Sequence, residues 1–306
     1  MDISTVTGIY VEGKSAPESM DENAALQKLY DIGFRAADVG LASLEHESYI
    51  LRGDDWQQKV DKLGETAAKL GMNLFQCHLP FYPTHLPRFR REGFPEYFDE
   101  CMRRAYIAAG MLGIRWGVVH PRTYPEYNHE SKACLEANHA YYDKFVELGI
   151  KQGVGTAMEN LNPPMDRTMS TRYCQHYDQL IELVDSYRDP MVGICWDTGH
   201  ANQNHFDQAR ALRAVGSRLR VLHLNDNHRG IRDEHLAPFM GEIDWQATME
   251  ALAEIGYSGA LNLETGKVAK FLPKGPFRDA GVRLVFEAGK TLRAIFEQAQ
   301  ARGREN

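Results

Sequence analysis

The 306-residue sequence predicts an α/β protein built as one closed (β/α)₈ barrel of the TIM type. Short apolar runs that suit buried strands alternate with longer segments that have helical periodicity. Glycine follows several of the predicted helices, and eight such units succeed one another without a break in composition. A doubly wound sheet is built from the same units, but eight in succession favour the closed barrel. We therefore expect a single domain over residues 1–306.

The first four units are marked by apolar runs and by glycines at the ends of helices. Gly33 and Gly71 stop the first two predicted helices, because glycine readily adopts the left-handed conformation that ends a helix. The predicted strands cover 3–10, 35–41, 72–78 and 114–120, and the helices that follow them cover 21–32, 55–70, 95–112 and 131–149.

The last four units follow the same pattern and include one helix cap that can be read directly. Asp244 precedes the helix that begins at Trp245 and suits the N-cap position. The predicted strands cover 154–160, 192–197, 219–224 and 259–264, and the predicted helices cover 171–187, 205–215, 245–255 and 279–300.

Two connections are longer than a barrel requires, one after strand 3 (79–94) and one after strand 7 (225–244). Both contain aromatic residues, histidines and arginines. Long connections in compact domains are usually functional, so we expect both to cover a substrate.

Composition excludes several classes of partner and compartment. The net charge of −7 disfavours nucleic acid and anionic membranes as partners. The five cysteines are scattered without a CxxC pair, which argues against a disulfide framework or a zinc ribbon and favours a reducing cytoplasm. The N-terminal stretch lacks the apolar core of a signal peptide, and no apolar run approaches the ~20 residues that cross a bilayer. We expect a soluble cytoplasmic protein.

Ionisable side chains recur at the ends of six consecutive predicted strands. In a barrel, the carboxyl ends of all strands meet at one mouth, where active sites lie. Three carboxylates in one cavity repel one another unless a cation neutralises them, and histidine with carboxylate suits Mn²⁺, Zn²⁺ or Fe²⁺. The sequence therefore predicts a divalent-metal site. The six residues are His78, His120, Glu159, Asp197, His223 and Glu264.

Asp197 has a second interpretation that the sequence leaves open. It follows the apolar run "VGICW", and its side chain also suits the N-cap of a following helix. A single histidine at the end of a strand is more often a core residue than a ligand, so the prediction depends on all six residues occurring together.

Five motifs at these positions resemble the xylose isomerase-like barrel superfamily, in its sugar isomerase and epimerase branch. They are "MEN" (158–160), "WDTGH" (196–200), "HLND" (223–226), "DEHLAPFMGEIDW" (233–245) and "NLET" (262–265). The resemblance runs through most of the chain and is strongest in its second half.

The resemblance implies one divalent ion held by four residues and a proton-transfer reaction on a ketose or related hydroxy-ketone. The implied metal ligands are Glu159, Asp197, His223 and Glu264. In ketose 3-epimerases the two glutamates also exchange the substrate proton through a metal-stabilised enediolate, and a histidine and an arginine orient the sugar. The motifs place these orienting residues at His200 and Arg229.

The metal and the substrate contacts are expectations of the same kind. Mn²⁺ is the ion that we expect, with Zn²⁺, Mg²⁺, Co²⁺ or Fe²⁺ as substitutes. A small sugar or keto-sugar is the expected partner, and aromatic residues Phe81, Tyr82 and Trp116 suit the apolar face of a sugar ring. The expected substrate-binding residues are His78, His120, His200, Arg229 and His235.

Other functions remain open at this point. The same enolate chemistry can expel a leaving group, as in a metal-dependent dehydratase or lyase of a keto-sugar or dehydroshikimate-type substrate. The superfamily also contains the endonuclease IV type of repair enzyme with a three-zinc site, and a sugar-binding subunit without turnover is a third class. The residues that would supply additional metal ligands are His78, His120, His200, Asp233 and His235.

We also expect a homo-oligomer. The last predicted helix and residues 267–278 are its plausible contact surfaces.

Overall fold

The computed structural model describes residues 1–11, 20–42, 49–81, 92–124, 131–164, 171–230, 232–266, 268, 272 and 275–305. The strands are β1 (Ile3–Thr5), β2 (Ala36–Gly40), β3 (Asn73–His78), β4 (Trp116–Val119), β5 (Gly155–Glu159), β6 (Val192–Asp197), β7 (Leu219–His223) and β8 (Leu261–Leu263). The α-helices are α1 (Glu22–Ile32), α2 (Trp56–Leu70), α3 (Phe94–Met111), α4 (Ser131–Gln152), α5 (Tyr177–Tyr187), α6 (Thr198–Gln203), α7 (Gln208–Val215), α8 (Trp245–Glu254) and α9 (Pro276–Glu305).

The parallel strands close into a ring, which confirms the predicted (β/α)₈ barrel. Strands β2 to β7 form one sheet in chain order, and β1 pairs with β8. Two parallel bridges join these sheets, one between Val6 and Asp38 and one between Leu224 and Leu263. The first and last strands are therefore neighbours, so the ring closes through β8.

Several predicted boundaries were wrong, and the backbone explains why. The strand predicted over 3–10 ends at Thr5, because Tyr10 N–H bonds to Thr7 O and a 3₁₀ turn forms. Helix α5 begins at Tyr177 rather than 171, since Cys174 has φ +60°, which breaks a right-handed helix.

Two further helices also differ from the prediction. Helix α6 was not predicted and lies between β6 and α7, and α7 itself begins at Gln208 rather than 205. Helix α9 extends the predicted 279–300 at both ends.

The interior of the barrel has an apolar half and a polar half. Strands β4 to β7 contribute a buried apolar cluster of Trp116, Val118, Ala157, Cys195 and Val221. Strands β1, β2, β3 and β8 contribute buried polar side chains to one hydrogen-bonded network: Ser4, Asp38, Gln76 and Asn262. Barrel interiors are usually filled by branched apolar residues, so the polar half needs a separate reason.

Two glycines make room for large side chains in the wall of the barrel. A Cβ on Gly155 would lie 2.3 Å from Trp116 Cζ3, and one on Gly193 would lie 2.2 Å from Arg220 Cγ. The Arg220 guanidinium lies 5.5 Å from the centroid of the Trp116 ring. The indole and the guanidinium stem thus take the space that side chains at these two positions would fill.

The long connection between β7 and α8 is organised by one buried carboxylate, Asp226. Its oxygens accept hydrogen bonds from the backbone N–H of Asn227, Phe239 and Ile243 and from Trp245 Nε1. Most of the other long connection, residues 82–91, lies outside the described residues, as does Tyr82.

None of the helices in the described part of the chain is long and apolar enough to cross a membrane.

Candidate active site

Four residues that were predicted from strand ends come together at the mouth of the barrel. Glu159 and Asp197 end β5 and β6, His223 ends β7, and Glu264 follows β8 directly. One ligand atom from each lies within 4.8 Å of every other. His223 Nδ1 is central, at 3.1 Å from Glu159 Oε1 and 3.3 Å from Glu264 Oε2. Three of the four side chains are at most 1% exposed, and that of Glu264 is 20% exposed.

Asp197 is held by its neighbours on both sides. Asn160 pairs with its backbone, since Asn160 Oδ1 accepts from Asp197 N and Asn160 Nδ2 donates to Asp197 O. Its carboxylate accepts from His200 N–H at 2.6 Å and from Asn225 Nδ2 at 2.9 Å. Asp197 is therefore the N-cap of α6 and a member of the four-residue set at once. The two interpretations that the sequence left open are compatible.

His78 and His120 form a second group with Glu159. Their Nε2 atoms lie 3.2 Å apart, and Glu159 Oε2 is 3.6 Å from the first and 3.1 Å from the second. His78 Nδ1 lies 2.9 Å from Leu79 O, and a carbonyl only accepts, so Nδ1 carries the proton. Phe81 packs over both rings, with centroids 5.0 and 4.3 Å away, and is 41% exposed.

His200 lies beside Glu159, and His235 lies beside Glu264. His200 Nδ1 donates to Asn160 O at 2.8 Å and lies 3.5 Å from Glu159 Oε1. His235 Nδ1 donates to Glu264 O at 2.9 Å, and its Nε2 lies 2.6 Å from Asp233 Oδ2. Both rings are thus fixed by the backbone of the two glutamate segments.

Arg229 contacts residues outside the four-residue set. Its Nε donates to Asn202 Oδ1 at 3.1 Å and lies 3.9 Å from Glu242 Oε2, and its side chain is 46% exposed. Its φ of +55° is unusual for a residue with a side chain and marks a tight bend in the loop.

Burial and neighbouring charges shift the pKa values of the two glutamates in opposite directions. Burial favours the neutral form of Glu159, but His223 and His120 outweigh it and hold the pKa well below its usual range. Burial raises the pKa of Glu264 to about 7. Such a separation between two carboxyl groups in one cavity is typical of sites that move protons.

The histidines respond to the same environment in opposite ways. Burial lowers the pKa of His120 to about 4 and also lowers the pKa of His78. Burial acts in the same direction on His223 and His235, but their anionic neighbours, with Glu264 in both cases, outweigh it. The pKa of His223 rises well above its ordinary value and that of His235 to about 9.

The four-residue set fits a divalent cation. Three carboxylates and one imidazole supply the oxygen and nitrogen ligands that such ions take in proteins. Glu159 Oε2 is buried and, although it lies 3.1 Å from His120 Nε2, it makes no hydrogen bond among the described residues. Close carboxylates and unpaired polar atoms are costly in a buried cavity, and a cation bound among them would reduce that cost.

Sequence reasoning missed the polar residues beneath the site. Asp38 and Gln76 lie in the middle of buried strands, and Asn262 lies in β8, so none of them marks a strand end. Their signal was weak but present: each is a single polar residue inside a short apolar run, where a branched apolar residue is usual.

Fold and site together define a parallel α/β barrel with a carboxylate-lined and histidine-lined mouth. The family model of the xylose isomerase-like TIM barrel matches residues 26–288. The chain belongs to this family, which confirms the resemblance that the five motifs suggested.

Several relatives carry names of sugar epimerases. D-psicose 3-epimerase of Ruminiclostridium cellulolyticum is 23% identical over 266 residues, which cover 84% of this chain and 82% of that protein. Uncharacterized protein MJ1311 of Methanocaldococcus jannaschii is 29% identical over 194 residues, 62% of this chain and 64% of its own length. The matched part therefore spans somewhat less than two thirds of MJ1311.

The fold has solved counterparts as well. The crystal structure of a D-tagatose 3-epimerase-like protein superimposes with a TM-score of 0.72 at 24% identity, covering 99% of both chains. At this identity the likeness shows the fold.

Proposed function

We propose that this protein is a divalent-metal-dependent sugar epimerase or isomerase that acts on a ketose or a related hydroxy-ketone. One observation carries the proposal: Glu159 and Glu264 reach His223 Nδ1 from different strands and share one compact ligand set with Asp197. The names of the curated relatives support a ketose as the substrate class.

The residues divide the reaction among themselves. When bound, a divalent ion supplies positive charge to adjacent substrate oxygens and acidifies the C–H group beside the carbonyl. One glutamate removes the proton from that carbon, and the other returns a proton to the opposite face, which inverts the centre. His200 and Arg229 orient substrate oxygens, and His235 takes part in substrate binding. Phe81 offers an apolar surface to the sugar.

The ion that we propose is Mn²⁺, with Zn²⁺, Mg²⁺, Co²⁺ or Fe²⁺ as substitutes. His78 and His120 either contact the substrate or, with Glu159, hold a further ion. The three ligand atoms of this second group also lie within 4.8 Å of one another, which favours a place for a further ion. Metal analysis of the purified protein distinguishes the two arrangements, with one or two ions per chain.

Two alternatives use the same mouth. A lyase would expel water or an aglycone after the first proton transfer. A three-zinc nuclease would also need His200, Asp233 and His235 to gather around an ion. Among the described residues, these three do not form such a compact group, and the His200 and His235 rings lie 6.5 Å apart. The geometry therefore favours the epimerase over the nuclease.

Solvent exchange tests the proposal. The enzyme loaded with Mn²⁺ is incubated in D₂O with D-psicose and with D-fructose, and NMR follows loss of the C3–H signal. We expect exchange at this carbon together with formation of the epimer. Glu159→Gln and Glu264→Gln each lower exchange by at least 10²-fold, because an amide cannot carry the proton.

The matched control is Glu254→Gln, a carboxylate on α8 that pairs with Arg213 at 2.6 Å. It is expected to keep the exchange rate. Unchanged exchange in both site variants, or full activity after EDTA treatment, contradicts the proposal. Release of water or an aglycone assigns a lyase instead, and cleavage of DNA that contains abasic sites assigns a nuclease.

We also propose that the protein self-associates. Phe277 and Leu284 are two turns apart on α9, on one face of the helix, and are 65% and 51% exposed. Half of the other predicted contact surface, 267–278, lies outside the described residues, namely 267, 269–271, 273 and 274.

A further inference from the structure

Beneath the four-residue set lies a buried carboxylate, Asp38, that no motif identified. It belongs to β2, is wholly buried, and faces the interior of the barrel with the other members of the polar half. Removal of a carboxylate from water is costly unless other groups compensate it. The contacts of Asp38 must therefore compensate the cost of burying its carboxylate.

Every hydrogen bond made by the Asp38 carboxylate is an accepted one. Oδ2 accepts from Gln76 Nε2 at 2.9 Å and from Asn262 Nδ2 at 3.0 Å, and Oδ1 accepts from the backbone N–H of His78 at 3.2 Å. The two amides are themselves fixed. Gln76 Nε2 also donates to Leu222 O, and Ser4 Oγ donates to Asn262 Oδ1. This pattern is that of an ionised carboxylate held in one orientation.

The Asp38 carboxylate faces the imidazole ring of His223. His223 Nε2 lies 3.6 Å from Asp38 Oδ2, and this nitrogen has no hydrogen-bond partner among the described residues. The opposite nitrogen, Nδ1, faces Glu159 and Glu264. The imidazole therefore stands between the buried carboxylate and the mouth of the barrel.

We propose that Asp38 is a positioning residue for metal binding, which orients the His223 ring so that Nε2 carries its proton toward Asp38 and Nδ1 presents its lone pair to a cation. The proposal rests on the proposed function for the identity of the cation. An ionised carboxylate only accepts, so the nitrogen that faces it bears the proton, and a neutral ring then has its lone pair on the other nitrogen. Partners of this kind fix the ring and strengthen the ligand.

This proposal explains why one half of the barrel interior is polar. Gln76 and Asn262 hold the Asp38 side chain under His223, and Ser4 holds Asn262. An apolar layer in this place would leave no carboxylate facing the inner nitrogen of His223.

The test compares Asp38→Asn with two controls in the full-length protein. Asp226→Asn removes another wholly buried carboxylate, which bonds to the β7–α8 connection, and Glu254→Gln neutralises an exposed carboxylate on α8. Mn²⁺ affinity is measured by competition with a chelator. We expect Asp38→Asn to weaken binding by about 10- to 100-fold. Both controls should stay within about threefold of the unaltered protein, and circular dichroism checks that each variant is folded.

A second readout does not depend on activity. In protein with ¹⁵N-labelled histidine loaded with Zn²⁺, we expect a protonated Nε2 and a metal-bound Nδ1 on His223, and a shifted Nε2–H resonance in Asp38→Asn. Unchanged affinity together with an unchanged resonance in Asp38→Asn overturns the proposal.

Failure of the proposed function gives a different result. If the unaltered protein binds neither Mn²⁺ nor Zn²⁺, the metal-dependent function fails. In that case the Nε2–H resonance of the metal-free protein still decides the contact with Asp38. A resonance that moves in Asp38→Asn, but not in the controls, supports the contact, and one that does not move rejects it.

Discussion

Asp197 uses one carboxylate for two purposes. Oδ1 caps α6 by accepting from His200 N–H, and the same side chain belongs to the proposed metal site. The cap fixes the side chain before any ligand arrives, so it is held in place in advance. Because His200 is the residue whose N–H is capped, the same bond also sets the position of a proposed substrate contact.

Glu22, at the start of α1, gives a residue-scale prediction about pH. Burial raises its pKa to about 7, although Thr7 hydrogen-bonds to it. The native state therefore keeps this proton over a range in which the unfolded chain loses it, from about pH 4.5 to about 7. Stability falls as the pH rises through this window, and Glu22→Gln removes the loss. We expect Glu22→Gln to gain about 3 kcal/mol at pH 8 and little at pH 4.

Urea unfolding at both pH values measures this gain. Glu65→Gln, an exposed position on α2, is the control and should change stability little at either pH. A gain that is equal at pH 4 and pH 8 would show that the proton on Glu22 is not its cause.

At the residue scale, the sequence predicted the members of the site better than their supports. Glu159, Asp197, His223 and Glu264 were found because strand ends are marked by a change from apolar to ionisable residues. Asp38 was not found, because its partners come from β3, β7 and β8 and are brought together only by closure of the ring.

At the scale of elements, β5 illustrates how strand sequence and packing are coupled. Gly155 opens the strand and lies against Trp116 of β4, with which it pairs in register. A methyl group at this position would overlap the buried indole. Strand β5 therefore needs glycine at position 155, because the large Trp116 side chain of β4 occupies the adjacent space.

Gly155→Ala is therefore expected to destabilise the protein by about 1–3 kcal/mol, because the rigid indole has to shift in a packed interior. The control is Gly64→Ala inside α2, where a Cβ would meet Leu112 Cδ2 at 3.5 Å, an ordinary contact. That change should stabilise the protein by about 0.5–1 kcal/mol through helix propensity. Chemical denaturation measures both, and equal effects would contradict the packing argument.

Element boundaries show where local sequence is insufficient. The ends of α1 and α2 at Gly33 and Gly71 were predicted correctly. Both glycines adopt positive φ, and the residue that makes this conformation easy is visible in the sequence. The late start of α5 was not predicted. Cys174 adopts positive φ, but it is neither glycine nor proline, so the sequence gives no local signal of the break. Helix α6 was missed although its cap was considered, since six residues are too few to show a helical period.

At the scale of the whole molecule, metal binding and folding are expected to be coupled. The four proposed ligands come from four strands, so the unfolded chain lacks the assembled site. At a Mn²⁺ concentration 100 times its dissociation constant, the ion should add about 2.7 kcal/mol to the free energy of unfolding. Unfolding with and without EDTA measures this gain, and His223→Gln should lose most of it. Equal stability of the unaltered protein in EDTA and in saturating Mn²⁺ would contradict the coupling.

Because β8 closes the ring by pairing with β1, the complete set of four proposed ligands forms only late in synthesis. Glu264 directly follows the strand that closes the ring, and its backbone N–H bonds to the carbonyl oxygen of Leu224, the residue after β7. A nascent chain that has not yet exposed residue 264 outside the ribosome can present at most three of the four donors, on an open and curled sheet. The proposed ion can be captured by the full set only after the last strand is in place, so its uptake would report that the cylinder is complete.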